Sequence, residues 1–135
     1  METERKLISD YQQYVRRVVL ALRTGLGYYD LLEAYHQRKI PKEGVINGIE
    51  YSFHGVGCLG IVDGLEVDFD FGPDERIDGF DAWRLWHFAE QQPEAYPQFQ
   101  RKEDVKAALE RLARSGEIEC PGAYPSPHLW YLKPS

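Results

Sequence analysis

Leu7, Ile8, Tyr11, Val15, Val18, Val19 and Leu22 recur three and four residues apart, opposite Gln12, Gln13, Arg16, Arg17 and Arg23. That spacing gathers the apolar set into one helical stripe and predicts a first amphipathic helix. It is expected to stop near Gly25, which tolerates the left-handed C-cap conformation, with Gly27 loosening the joint. A second, shorter helix is predicted from about Asp30 to Gln37, with Leu31, Leu32 and Tyr35 as its narrow apolar stripe and with Pro41 and Gly44 closing it.

From Val45 to Phe71 the period of the pattern falls from near four to two. Asn47-Gly48 and Asp63-Gly64 punctuate this stretch, and such dipeptides suit tight hairpin turns because both residues tolerate positive φ. A β-meander is therefore predicted, with strands at about Val45-Ile46, Ile49 to His54, Cys58 to Val62 and Leu65 to Phe71. In the last strand Leu65, Val67, Phe69 and Phe71 alternate with Glu66, Asp68 and Asp70, which gives one greasy face and one carboxylate face. Ile49, Tyr51 and Phe53 alternate in the same way with Glu50, Ser52 and His54.

Asp78-Gly79-Phe80-Asp81 offers an N-cap for a third helix, Ala82 to about Gln92, ended by Pro93. Trp83, Leu85, Trp86, Phe88 and Ala89 make it apolar over more than half its girth, so packing on two sides is expected. Val105, Ala108, Leu109, Leu112 and Ala113 mark a fourth helix stopped at Gly116, and Glu117 to Cys120 could pair with His128 to Leu132 across a proline-rich loop. The elements together describe an α+β fold: two N-terminal helices, an antiparallel meander of three to four strands, two further helices and a short C-terminal hairpin.

A length of 135 residues fits one domain spanning 1–135, and 43% hydrophobic residues provide enough material for a core. The charged start shows no export signal, no apolar run approaches the roughly 20 residues that cross a bilayer, and Cys58 and Cys120 are expected as free thiols of a cytoplasmic protein. The net charge of −6 is unevenly placed. Between Glu50 and Asp81 there are nine acids (Glu50, Asp63, Glu66, Asp68, Asp70, Asp74, Glu75, Asp78, Asp81) against Arg76 alone, a local −8 that leaves +2 for the rest. Such a centre repels phosphate backbones and attracts cations or basic protein surfaces, so direct nucleic-acid binding is not expected.

Phe53-His54-Gly55-Val56-Gly57-Cys58 brackets a histidine and a cysteine with glycines, yet His-x3-Cys lacks the paired ligands of a zinc site. The glycines read first as a bulge or tight bend. Asp68 and Asp70 must share a strand face, and His54 would join them if the hairpin order holds. That trio defines one alternative, a small metal-dependent hydrolase or lyase using His54, Asp68 and Asp70. No nucleophile elbow, phosphate loop or dinucleotide fingerprint is present, so no enzyme activity and no cofactor are expected. His36, His87 and His128 read as surface or satisfied histidines. Nine tyrosines and three tryptophans in an acidic chain supply rigid amphipathic anchors for a protein interface.

Three strings, Phe53-His54-Gly55-Val56-Gly57-Cys58, Val67-Asp68-Phe69-Asp70-Phe71-Gly72 and Gly79-Phe80-Asp81-Ala82-Trp83-Arg84-Leu85, together resemble a family of small uncharacterised bacterial domains with a Phe-His-Gly-x-Gly-Cys core. The resemblance covers about residues 28 to 92 and carries no catalytic residues with it. It implies an immunity protein of a polymorphic toxin system, whose partner is a cognate toxin domain with a basic, nucleic-acid-acting cleft. The expected contact surface comprises Glu66, Asp68, Asp70, Asp74, Asp78, Tyr28 and Tyr29.

Overall fold

The computed structural model describes residues 2–27 and 30–134. The long apolar stripe forms α1, Glu2–Leu26, with Glu2 and Glu4 in its first turn and Arg23 in its last, where each sign suits the helix dipole. Gly27 takes φ 73 just beyond it. Asp30 caps α2, Leu31–His36, by accepting the Glu33 N–H at 3.0 Å.

Four strands follow in meander order: β1 Glu43–Ile46, β2 Ile49–His54, β3 Gly57–Val62 and β4 Leu65–Asp70. All pairs are antiparallel. Asn47-Gly48 and Asp63-Gly64 have positive φ at both positions, as the sequence predicts, and they set the register by placing Ile46 opposite Ile49 and Val62 opposite Leu65. On the inner face Tyr51, Phe53, Cys58, Val62, Val67 and Phe69 are buried against α1. The helix packs tightly on Gly60, where an added Cβ would lie 2.6 Å from a Val18 methyl. Phe53 also stacks on Tyr35 of α2, at 4.9 Å and 14°.

The free edge of β4 is closed by side chains rather than by a fifth strand. Gln91 spans the Glu66 peptide, accepting from its N–H and donating to its carbonyl, each at 2.8 Å, and the Tyr11 hydroxyl donates to the Asp68 carbonyl at 2.7 Å. Gln91 follows directly on α3, Ala82–Glu90, which Asp81 caps by accepting the Arg84 N–H at 2.8 Å. Phe88 packs α3 on Tyr11 and Tyr14 of α1, while Leu85 and Ala89 are buried among the core side chains. The third helix is less enclosed than its composition predicts. Trp83 stacks on His87, at 5.4 Å and 9°, and remains 42% exposed.

Helix α4, Lys102–Arg114, ends at Gly116 with φ 79. The C-terminal hairpin is shorter than expected, with β5 Ile118–Glu119 paired to β6 Tyr131–Leu132. A single bridge, Phe80 to Trp130, ties it to the start of α3. The Ser126 hydroxyl, itself buried, donates to the Phe71 carbonyl at 3.0 Å and fastens the proline-rich loop to the end of β4. Cys58 is buried and Cys120 exposed, both as free thiols, and burial pushes Cys58 up to about 12. No helix among the described residues is long and apolar enough to cross a membrane.

Candidate functional site

Strand alternation and register decide what the outer face of the sheet carries. Its positions are Glu43 and Val45 on β1, Glu50, Ser52 and His54 on β2, Gly57, Leu59 and Ile61 on β3, and Glu66, Asp68 and Asp70 on β4. No Lys or Arg stands at any of them. Leu59 and Ile61 are half-buried on β3 and Val45 is 64% exposed on the edge strand β1, so the face has an apolar middle with carboxylates around it and an exposed valine at one edge. A shallow groove of about 320 Å³ runs across β1, β2 and β3, lined by Glu43, Val45, Glu50, Leu59 and Ile61 among others.

At the β4 end of this face lies a network of ion pairs. His54 Nε2 is 2.8 Å from Asp68 Oδ1. Asp70 accepts from Arg84 Nη2 at 3.1 Å and faces His128 Nε2 at 3.0 Å, while Asp81 accepts from Arg84 Nη1 at 2.5 Å and lies 3.4 Å from His128. One cationic fork thus joins the end of β4 to the cap of α3. Burial works against the charge on Arg84, yet Asp81, Asp70 and Asp68 more than offset it and its pKa is raised. Burial, with the charge of Asp81 next, drives the Tyr11 phenol well above its ordinary value.

The network draws one or more residues from each of the three strings singled out in the sequence: His54, then Asp68 and Asp70, then Asp81 and Arg84. It also recruits His128, which the sequence presented as a lone histidine. The signal available beforehand for Arg84 was only its place three residues after an N-cap aspartate. Gly57 belongs to the same arrangement, because an added Cβ would overlap Asp70 Oδ1 and the Phe69 carbonyl. Its partner Gly55 has φ 52 in the β2–β3 turn, in keeping with the tight-bend reading.

The expected contact residues do not form one surface. Glu66 and Asp68 belong to the outer sheet face. Asp70 does not face solvent: it is 4% exposed and held by Arg84 and His128. Asp78 is engaged by the Arg76 guanidinium at 2.7 Å, and its carbonyl accepts from Gln12 at 2.7 Å. Asp74 lines a different feature, and Tyr28 and Tyr29 lie outside the described residues. Nor do His54, Asp68 and Asp70 converge on one point, since His54 meets Asp68 while the Asp70 carboxylate turns to Arg84 and His128. Among the described residues no three His, Cys, Asp or Glu side chains come together as a metal-holding group.

The feature around Asp74 is a cleft of about 770 Å³ beside α2, whose polar lining includes Arg23, Asp30, Glu33, His36, Asp74 and Glu75. Asp74 and Glu75 both take positive φ, at 54 and 56. Glu75 accepts from Arg23 at 3.2 Å and from the Leu32 N–H at 3.3 Å. Burial raises its pKa, with a hydrogen bond to Asp30 adding to the effect, and the same hydrogen bond is the main cause that lowers Asp30. A raised carboxyl holds its proton in the folded chain where the unfolded chain has lost it, so ionisation of Glu75 works against folding. Glu75→Gln keeps an oxygen for Leu32 and removes that titration. Urea unfolding should therefore show the variant gaining on the wild type as pH rises from about 4.3, the ordinary glutamate value, toward 7. A pH-independent difference between the two would assign Glu75 an ordinary pKa.

A family model described as a domain of unknown function, DUF6896, matches residues 5–132. The chain belongs to this family. The match takes in all but the first three residues of α1, the whole sheet, the ion-pair network and the C-terminal hairpin, so the site lies within the family's domain. No curated protein and no solved structure matches the chain.

Proposed function

We propose that this member of the family is an immunity-type protein that binds and neutralises a cognate toxin domain in the cytoplasm, through the outer face of its sheet. One observation carries the reading: half-buried Leu59 and Ile61 stand inside a ring formed by Glu43, Glu50, Glu66 and Asp68, with exposed Val45 at its β1 edge and no Lys or Arg on the face. An antiparallel sheet that turns one face to water ordinarily fills it with polar side chains, so Leu59 and Ile61 kept at its middle and Val45 at its edge favour contact. The carboxylate ring supplies steering and selectivity toward a basic surface, such as the cleft of a toxin that acts on nucleic acid. The exposed tryptophan Trp83 adds an aromatic anchor on α3, the helix that flanks β4.

The test is charge reversal at the ring. Glu50→Lys together with Glu66→Lys should cut affinity for the toxin encoded beside the protein's own gene by about a hundredfold or more, at about 1.4 kcal/mol per tenfold step. Protection on co-expression should be lost with it. Neither carboxylate makes a side-chain ion pair among the described residues, so the melting temperature should change little. Undiminished capture and protection by the double variant would refute the assignment.

A further inference from the structure

We infer that the element a partner lays on this face is a basic amphipathic α-helix running along β3, an inference that rests on the outer face being the binding surface. Leu59 and Ile61 point outward two residues apart on β3, the third strand of four. Glu50, Ser52 and His54 flank them on β2, and Glu66 and Asp68 flank them on β4. The result is a short apolar ridge with Glu50 on one side and Glu66 on the other, bounded at its Gly57 end by the His54–Asp68 contact that reaches across β3. The two flanking strands stand two strand spacings apart, about 9.6 Å, close to the roughly 10 Å diameter of a helix. A helix seated on Leu59 and Ile61 with leucine-like side chains would bring Lys or Arg from its two flanks onto Glu50 on one side and onto Glu66 on the other, with the His54–Asp68 contact at its end.

Backbone chemistry favours a helix over an extended segment. A strand laid flat on a sheet face would bury peptide groups with nothing to bond, whereas a helix satisfies its own. Edge-on pairing has little room as well. The β4 edge is occupied by Gln91 and Tyr11, and β1 is only four residues long. A second copy of this chain is a poor occupant, because the exposed side of α1 near Arg16 and Arg17 offers Leu20 as its one large exposed apolar residue and not a stripe.

The probe is an 18-residue peptide with leucines at helical spacing flanked by lysine and arginine. One control has the same composition shuffled to abolish the stripe, and a second has glutamate in place of the basic residues. Titration of isotope-labelled protein should show amide shifts centred on Glu50, Leu59, Ile61, Glu66 and Asp68. Affinity should be at least tenfold above that of the shuffled peptide, with no binding of the acidic one. Ile61→Lys, checked for an unchanged melting temperature, should weaken the probe at least tenfold. Equal binding of the shuffled peptide, shifts centred elsewhere, or indifference to Ile61→Lys would overturn the inference. Self-association in the ultracentrifuge that Ile61→Lys abolishes would give the face to a second copy and overturn it too. If toxin capture is lost in the Glu50→Lys, Glu66→Lys variant but the bound helical peptide does not compete with toxin, the functional reading stands and the helix falls. If capture survives both Ile61→Lys and the charge reversals, the functional reading itself falls.

Discussion

Arg84→Ala is expected to destabilise the fold by about 3 kcal/mol, the lower end of what breaking a buried ion pair costs. The side chain is 17% exposed and its partner Asp70 only 5%, so solvent screens little of the interaction. Removing the fork leaves Asp70 in the interior with only the His128 ring nitrogen beside it, at 3.0 Å, and leaves Asp81 with the same histidine at 3.4 Å. The loss should be visible in chemical denaturation as a shift of midpoint with little change of slope. A second comparison isolates the cause. Asp70→Asn with Arg84→Met removes both charges of the more buried pair and should cost less than Arg84→Ala alone, because Asp70 is then not left ionised in the interior and only the more exposed Asp81 loses its arginine. Equal losses in the two variants would mean that the packing of the arginine stem, and not its charge, sustains the structure.

Gly57→Ala should cost about 1 to 3 kcal/mol, the range for forcing atoms into a filled space. The backbone at Gly57 does not lie in the left-handed region, so strain in φ plays no part and the effect is steric. A single methyl would meet Asp70 Oδ1 and the carbonyl of Phe69, the second of which belongs to the β3–β4 ladder and has little freedom to yield. The Asp70 carboxylate is the group more able to move, and moving it disturbs Arg84. The variant should thus resemble a weak Arg84→Ala. Hydrogen exchange at the end of β4 and the first turn of α3 should quicken together, while the β1–β2 hairpin keeps its protection. Exchange that quickens uniformly would place the clash in the global fold and detach Gly57 from the network.

These two substitutions bear on the proposed function by a route separate from the charge reversals. The network fixes α3 against β4 and holds Asp68 and Asp70 in different roles, Asp68 partly exposed beside His54 and Asp70 enclosed. Reversing Asp70 would therefore test folding, whereas reversing Glu50 and Glu66 tests contact. The cleft beside α2 is separate again, since none of the outer-face residues lines it.

Much of the architecture is legible in the sequence, because period, cap and turn chemistry act over a few residues. The stripe from Leu7 to Leu22 became α1, Asp81 became the cap of α3, and Asn47-Gly48 and Asp63-Gly64 became the hairpin turns that hold the register. The alternation along Leu65 to Phe71 correctly separated a buried face from a carboxylate face, with the strand stopping one residue sooner, at Asp70. Alternation assigns each side chain to a face but is silent on what stands over that face. Three carboxylates in a row on β4 looked equivalent, yet α3 and the C-terminal loop bring Arg84 and His128 over the last of them and leave the first two nearer solvent.

The sequence by itself determined the elements, their order and the carboxylate face of the last strand, because local propensity and strand parity decide those without reference to distant residues, while the apolar residues at the middle of that face emerge with the β2–β3–β4 register. Only the tertiary structure decided that His54, Asp68, Asp70, Asp81, Arg84 and His128 meet, that Gly57 must lack a side chain for them to do so, and that Asp74 and Glu75 belong to a cleft of their own. Those meetings depend on the packing angle of α3 and on the path of the C-terminal segment, which arise from long-range burial and leave no periodic trace in the chain.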